Sequence, residues 1–165
     1  MDESKFWSMI ETAWTKVRNT AKARQKLVLG QLSEDKALDL EEKMGQTVIP
    51  ALAEMLRELS AEHLLTFDRI LEQKLHDIDR EDIHERTDGS DDGFLYCRGF
   101  IVAAGREFYD AVVNRPEVAV ADAECEEMCY ISLHIYEEKF GEMPPSGVSR
   151  ESFGNPAGWP ESAEG

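Results

Sequence analysis

Cysteine is scarce: the chain has three, Cys97, Cys125 and Cys129. An odd count this small excludes a disulfide framework and suits a reducing cytoplasm, with all three read as small buried apolar side chains. Long apolar runs are absent, since no stretch approaches 18 consecutive apolar residues, so no membrane-spanning helix is expected. The N-terminus opens on Asp2 and Glu3 without an apolar core, unlike a secretory signal. Catalytic signatures are also missing. There is no Gly-x-Ser-x-Gly elbow, no phosphate-cradling Gly-x-x-x-x-Gly-Lys loop, no dinucleotide fingerprint and no His-Glu-x-x-His pair. The four histidines, His63, His76, His84 and His134, are dispersed and read as structural or surface residues.

Basic residues are few as well: 18 Lys and Arg stand against 34 Asp and Glu, for a formal net charge of −16 in 165 residues. The imbalance is local. Residues 1–32 carry a net +3, residues 33–141 a net −16 and residues 142–165 a net −3. Such a surface repels nucleic-acid phosphates and attracts basic proteins or cations. It also serves plain solubility.

What is present is an apolar fraction of 42%, ample for one packed domain. Phe6, Trp7, Ile10, Ala13, Trp14 and Val17 fall on one helical face. A short helix is expected over 21–32, and Ser33 reads as the cap of the next, with a break or kink between 45 and 50 at Gly45 and Pro50. Ser60 caps a helix whose stripe is Leu64, Phe67, Leu71, Leu75 and Ile78. Residues 77–92 hold eight acids and two arginines, ending in turn chemistry at 87–90. Ser90 or Asp91 then caps a long helix to Asn114, and Asp122 caps the last one, which stops at Gly141. Gly99 and Gly105 inside the long helix point to close helix crossings. The predicted fold is all-α: an irregular bundle of six or seven helices in a single domain over 1–141. A Pro/Gly-rich tail, 142–165, is expected to be extended and mobile, with Phe153 and Trp159 able to pin part of it.

The block from Ser90 to Glu107 carries Ser-Asp-Asp-Gly-Phe at 90–94, Arg98-Gly99-Phe100, and Gly105-Arg106-Glu107. It resembles the core signature of a bacterial family of uncharacterised domains, domain-of-unknown-function family 4240. Phe6-Trp7, Leu59 to Asp68, Glu124 to Glu126 and Tyr136-Glu137 are similar to other stretches of that family. The charged run 77–88 departs from it, standing where the family has an aromatic-rich stretch. The resemblance implies a helical fold and supplies no activity.

Two constellations bear on function. Arg98 and Arg106, eight apart on one helix, would share a face. With Asp91, Asp92 and Tyr96 they could form a polar pocket for a small anion or a carboxylate. Equally, they could form ion pairs between helices with Asp91, Asp92, Glu124, Glu126 or Glu127. The 77–92 loop could attract cations, but the calcium-loop template fails: counted from Asp88, position 12 is Gly99 where a Glu is needed. Cys125 and Cys129 lack zinc-site spacing, so no metal and no cofactor are expected. The leading expectation is a non-catalytic, cytoplasmic, acidic interaction module for a basic partner protein, acting on neither nucleic acid nor membrane. The alternative is a ligand- or anion-binding protein or enzyme using the Arg98/Arg106 face.

Overall fold

The computed structural model describes residues 1–160. Its helices are α1 (Glu3–Trp14), α2 (Ala21–Val28), α3 (Glu34–Lys43), α4 (Ile49–Arg57), α5 (Ala61–Asp77), α6 (Glu81–His84), α7 (Asp91–Ala103), α8 (Arg106–Asn114) and α9 (Glu126–Phe140). The fold is all-α, and no strand occurs among the described residues. Seven of these segments answer to the expected helices. The two extra ones are the single turn of α6 and the division of the expected 91–114 helix into α7 and α8.

Side-chain capping sets several starts. Asp2, Ser60 and Ser90 accept from the backbone N–H of Lys5, His63 and Gly93 at 2.8, 3.2 and 3.1 Å, each satisfying an orphan amide of a first turn. Asp122 does not cap α9. It sits in a turn at φ 58°, and Cys125 takes the cap position.

The helix is not broken near Pro50, and the irregularity expected between 45 and 50 is a change of helix type. A π-helical turn, Met44–Val48, joins α3 to α4, and Pro50 lies in the first turn of α4. Proline inside a helix clashes with the carbonyl four residues earlier. A wider turn draws that carbonyl aside and lets the rod continue.

The centre of the bundle is α7 against α9, with α5 and α4 flanking α9, α1 resting on α4 and α5, and α2 on α8. The crossing of α7 and α9 is close because of Gly99. A Cβ there would run into the carbonyl oxygen of Cys125 and the Sγ of Cys129. Cys125 N–H donates to the Tyr96 carbonyl at 2.9 Å at the same crossing. Both expectations for Gly99 and the cysteines agree with this packing: all three thiols are buried.

The long helix ends early because its C-terminal carbonyls are captured from outside. Trp14 Nε1 donates to Ala103 O at 2.8 Å, and Arg24 donates through Nε and Nη2 to Ala104 O at 3.2 and 2.8 Å. Gly105 then turns the chain at φ 108°, a conformation that an L side chain rarely adopts.

Residues 142–160 depart from the mobile extension that their Pro/Gly content predicts. They cross the body as a strap, and Met143, Arg150 and Trp159 are buried along it. Trp159 joins the main core, so the packed unit extends past residue 141. Phe153 stays half-exposed. Residues 161–165 of the expected tail lie outside the described residues.

Candidate functional site

The sequence-predicted pocket does not assemble. Arg98 is 0% exposed, the largest fully buried side chain. Its Nη1 donates to the Leu75 carbonyl at 2.8 Å, its Nη2 to Ser152 Oγ at 3.1 Å, and its guanidinium lies 4.7 Å over the Phe94 ring. Burial holds its pKa below the usual guanidinium value, with Asp79 opposing. Arg106 is exposed on the first turn of α8 and pairs with Asp110 at 3.5 Å. The turn at Gly105 breaks the helical register that would have put the two on one face, so they serve separate environments. Arg106 opens instead onto a cavity of about 720 Å³ with Lys22, Arg24, Trp7 and Phe108. Asp91 and Asp92 are exposed in the first turn of α7, where they favour the helix dipole. Tyr96 is half-buried, its hydroxyl pKa raised by burial, then by Glu126 and Asp92.

Carboxylates do converge elsewhere, where the last turn of α3 faces the start of α9. A pocket of about 370 Å³ is lined there by Glu41, Glu42, Gln46, Glu124, Cys125 and Glu127, beside the π turn. Among the described residues, Glu41 Oε2 is buried without a hydrogen-bond partner. Burial pushes the Glu41 carboxyl up, the Glu124 backbone opposes this, and Glu127 adds to it. The Glu124 carboxyl is raised by burial and then by Asp88, Glu41, Asp122 and Glu126. Among the described residues, none of Glu41, Asp88, Asp122, Glu124, Glu126 and Glu127 holds an ion pair. Asp88 instead accepts from the backbone and hydroxyl of Ser90, both at 2.7 Å, which lowers its pKa. The arrangement concentrates negative charge on one face assembled from α3, the 119–125 turn and the N-terminal ends of α7 and α9.

The cysteines bordering this face are inert. Burial raises the Cys97 and Cys125 thiols to about 12, and Cys129 is pushed up as well. No group of three or more His, Cys, Asp and Glu side chains suited to hold a metal ion occurs among the described residues.

Sequence reasoning missed a second set of polar residues. Asp68 on α5 and Asp79 after it are both 0% exposed. Asp68 accepts from Ser132 Oγ at 2.7 Å and from Arg150 Nη2 at 2.9 Å, and the same Nη2 reaches Glu72 at 2.8 Å. A signal existed for Asp68: it occupies the apolar stripe of α5, between Leu64 and Leu71, where a charge must find a partner. Asp79 had none, standing in a run of exposed acids.

Among known proteins, no curated protein matches the chain, and no solved structure does. A family model, described as a protein of unknown function (DUF4240), matches residues 31–138, from just before α3 to near the end of α9. The helices α1 and α2 and the strap lie outside that match, while the Ser90–Glu107 block lies inside it. The chain belongs to the DUF4240 family.

Proposed function

We propose that this chain is a non-catalytic interaction module that presents its acidic face to a basic partner protein in the cytoplasm. The observation that carries the reading is the set of unpaired carboxylates around Glu41 and Glu124, two of them with raised pKa from burial and mutual repulsion. Repulsion of this kind costs the free protein stability, and a cationic partner relieves it. The reduced, buried thiols and the net charge of −16 support the same setting.

Affinity capture from lysate tests this at about 50 mM and about 300 mM salt, where the screening length differs roughly twofold. A basic protein retained at low salt and lost at high salt is expected. E126K/E127K, at exposed positions, should abolish its capture. Capture of nothing basic at low salt, or capture that the double variant leaves unchanged, would overturn the reading.

The cavity beside Arg106 favours a second reading, a binder of small anions. Lys22 supplies positive charge there, Arg24 and Arg106 are shared with Glu11 and Asp110, and Trp7 and Phe108 form the walls. Inorganic phosphate or a small carboxylate should then raise the melting temperature of the wild type and not of R106A. An equal shift in both proteins would remove it.

A further inference from the structure

The strap meets the body as a bound peptide meets its receptor. Arg150 inserts between α5 and α9: Nη2 bridges Asp68 and Glu72, and Nη1 donates to the Cys129 carbonyl at 2.6 Å. Two residues on, Ser152 Oγ accepts from Arg98 and donates to the Asp91 carbonyl at 2.6 Å. The backbone N–H groups of Phe153 and Asn155 then converge on the Asp79 carboxylate at 3.1 and 3.0 Å. Phe153 stands at φ 66°, and N–H groups converging this way form an anion-holding nest. Nine residues beyond Arg150, Trp159 Nε1 donates to the same Asp79 carboxylate at 3.1 Å, with its ring edge-on to Phe94 and His84.

The division of labour is uneven. Asp68, Asp79 and Arg98 are completely buried charges on the body, yet among the described residues every hydrogen bond to the Asp79 carboxylate comes from the strap. A buried charge is kept only where a partner satisfies it. The receiving residues all lie within the stretch that the family model matches, and the segment they receive lies beyond its end at residue 138. The joint between the two, Gly141 to Gly147, is exposed for the most part and contains Pro144 and Pro145.

We propose that residues 150–159 are a detachable strap, held in the groove formed by α5, α6, α7 and α9 as a ligand is held and able to leave it while the body stays folded. Its recognition rests on Arg150, the Ser152 hydroxyl two positions on and Trp159 nine positions on. This surface is distinct from the acidic face and does not depend on its reading. Arginine is required rather than lysine, because one planar fork must reach two carboxylates and a carbonyl together.

The test is complementation in trans. The full chain carrying R150A/W159A has a weakened strap, and a fluorescein-labelled peptide of residues 144–160 serves as the probe. Saturable binding is expected, at least about tenfold tighter than to the wild-type chain, whose own strap competes at high effective concentration. The R150K peptide and a D79N version of the receptor should each lose about tenfold or more. If the variant melts cooperatively and does not bind by about 100 µM, or binds the R150K peptide as well as the parent, the proposal fails. Should R150A/W159A not fold, a protease site inserted between Gly141 and Glu142 of the wild type leaves the strap held non-covalently after cleavage. Exchange of the cut strap for the labelled peptide supports the proposal. A strap that never exchanges is an integral part of the fold and overturns it.

Discussion

The indole N–H of Trp159 donates to the carboxylate of Asp79 across 80 positions of sequence, at 3.1 Å, in a site closed to water. Asp79 has two further partners, both backbone amides of the same strap. D79N keeps the shape and removes the charge that these three donors share. The expected loss is about 2 kcal/mol in urea denaturation, in the range for charge-assisted hydrogen bonds. W159F, which keeps an aromatic ring and deletes the donor, should cost about 1–2 kcal/mol. If both variants unfold at the wild-type midpoint, the Asp79 bonds contribute nothing to stability.

Arg150 and Asp68 form a buried pair at 2.9 Å. R150A strands the Asp68 carboxylate and should cost about 3–5 kcal/mol. D68N/R150M removes both charges and should recover more than about 1 kcal/mol of the summed single losses. Additive losses would mean that the two residues act independently. For Glu72, burial raises the pKa, but hydrogen bonds from Ser146, Arg150 and Arg69 outweigh it and the net shift is downward. Its contribution is therefore present above the ordinary value of 4.5 and is lost as pH falls below it. The acid limb of the stability profile should be shallower in E72Q.

Glu41 and Glu124 have the opposite sign. Their carboxyls are raised above the ordinary 4.5 by burial and by neighbouring acids. The native state prefers their neutral forms, so their stabilising contribution is complete below that value and is lost as pH rises through the folded pKa. E41Q and E124Q should each raise the melting temperature at pH 7 by a few degrees at most, and leave it unchanged near pH 4. A rise of the same size at both values would point to a cause other than charge.

Gly99 and Gly45 make a contrasting pair. At Gly99 a methyl group meets the Cys125 carbonyl, which is backbone and has no room to shift. G99A should therefore cost about 3 kcal/mol or prevent folding. Nothing lies within 4 Å of a methyl group at Gly45. G45A should be neutral or stabilise by up to about 1 kcal/mol through helix propensity. Circular-dichroism melts of the two variants decide this; equal melting points would contradict the close crossing of α7 and α9.

Periodicity was enough to read the helices and their apolar faces, because burial writes itself into local spacing. It failed at Gly105, since the groups that end α7 there, Trp14 and Arg24, arrive from about 80 to 90 residues away. The same limit hid the candidate sites. Arg98 and Arg106 have the spacing of one helical face, but a distant cap breaks that helix between them. The strap looked like a mobile tail because, Trp159 apart, its anchors are single polar groups, Arg150, Ser152 and the amides of 153 and 155, which leave no periodic trace. The acidic character of the molecule was legible from composition. The meeting of Glu41 with Glu124 was not, since it depends on how α3 lies against the start of α9.

The wide turn at Met44–Val48 has a consequence for how α3 and α4 work together. Leu40, Met44, Val48, Leu52 and Leu56 are all buried and all spaced by four. In a regular α-helix each step of four overshoots a full turn by roughly 40°, so five such residues would spiral away from the core. The slack turn in the middle resets the phase, as a leap day keeps a calendar aligned with the seasons. Rewinding it as regular α-helix with no residue removed would leave both helices intact and aim the second half of the rod at solvent.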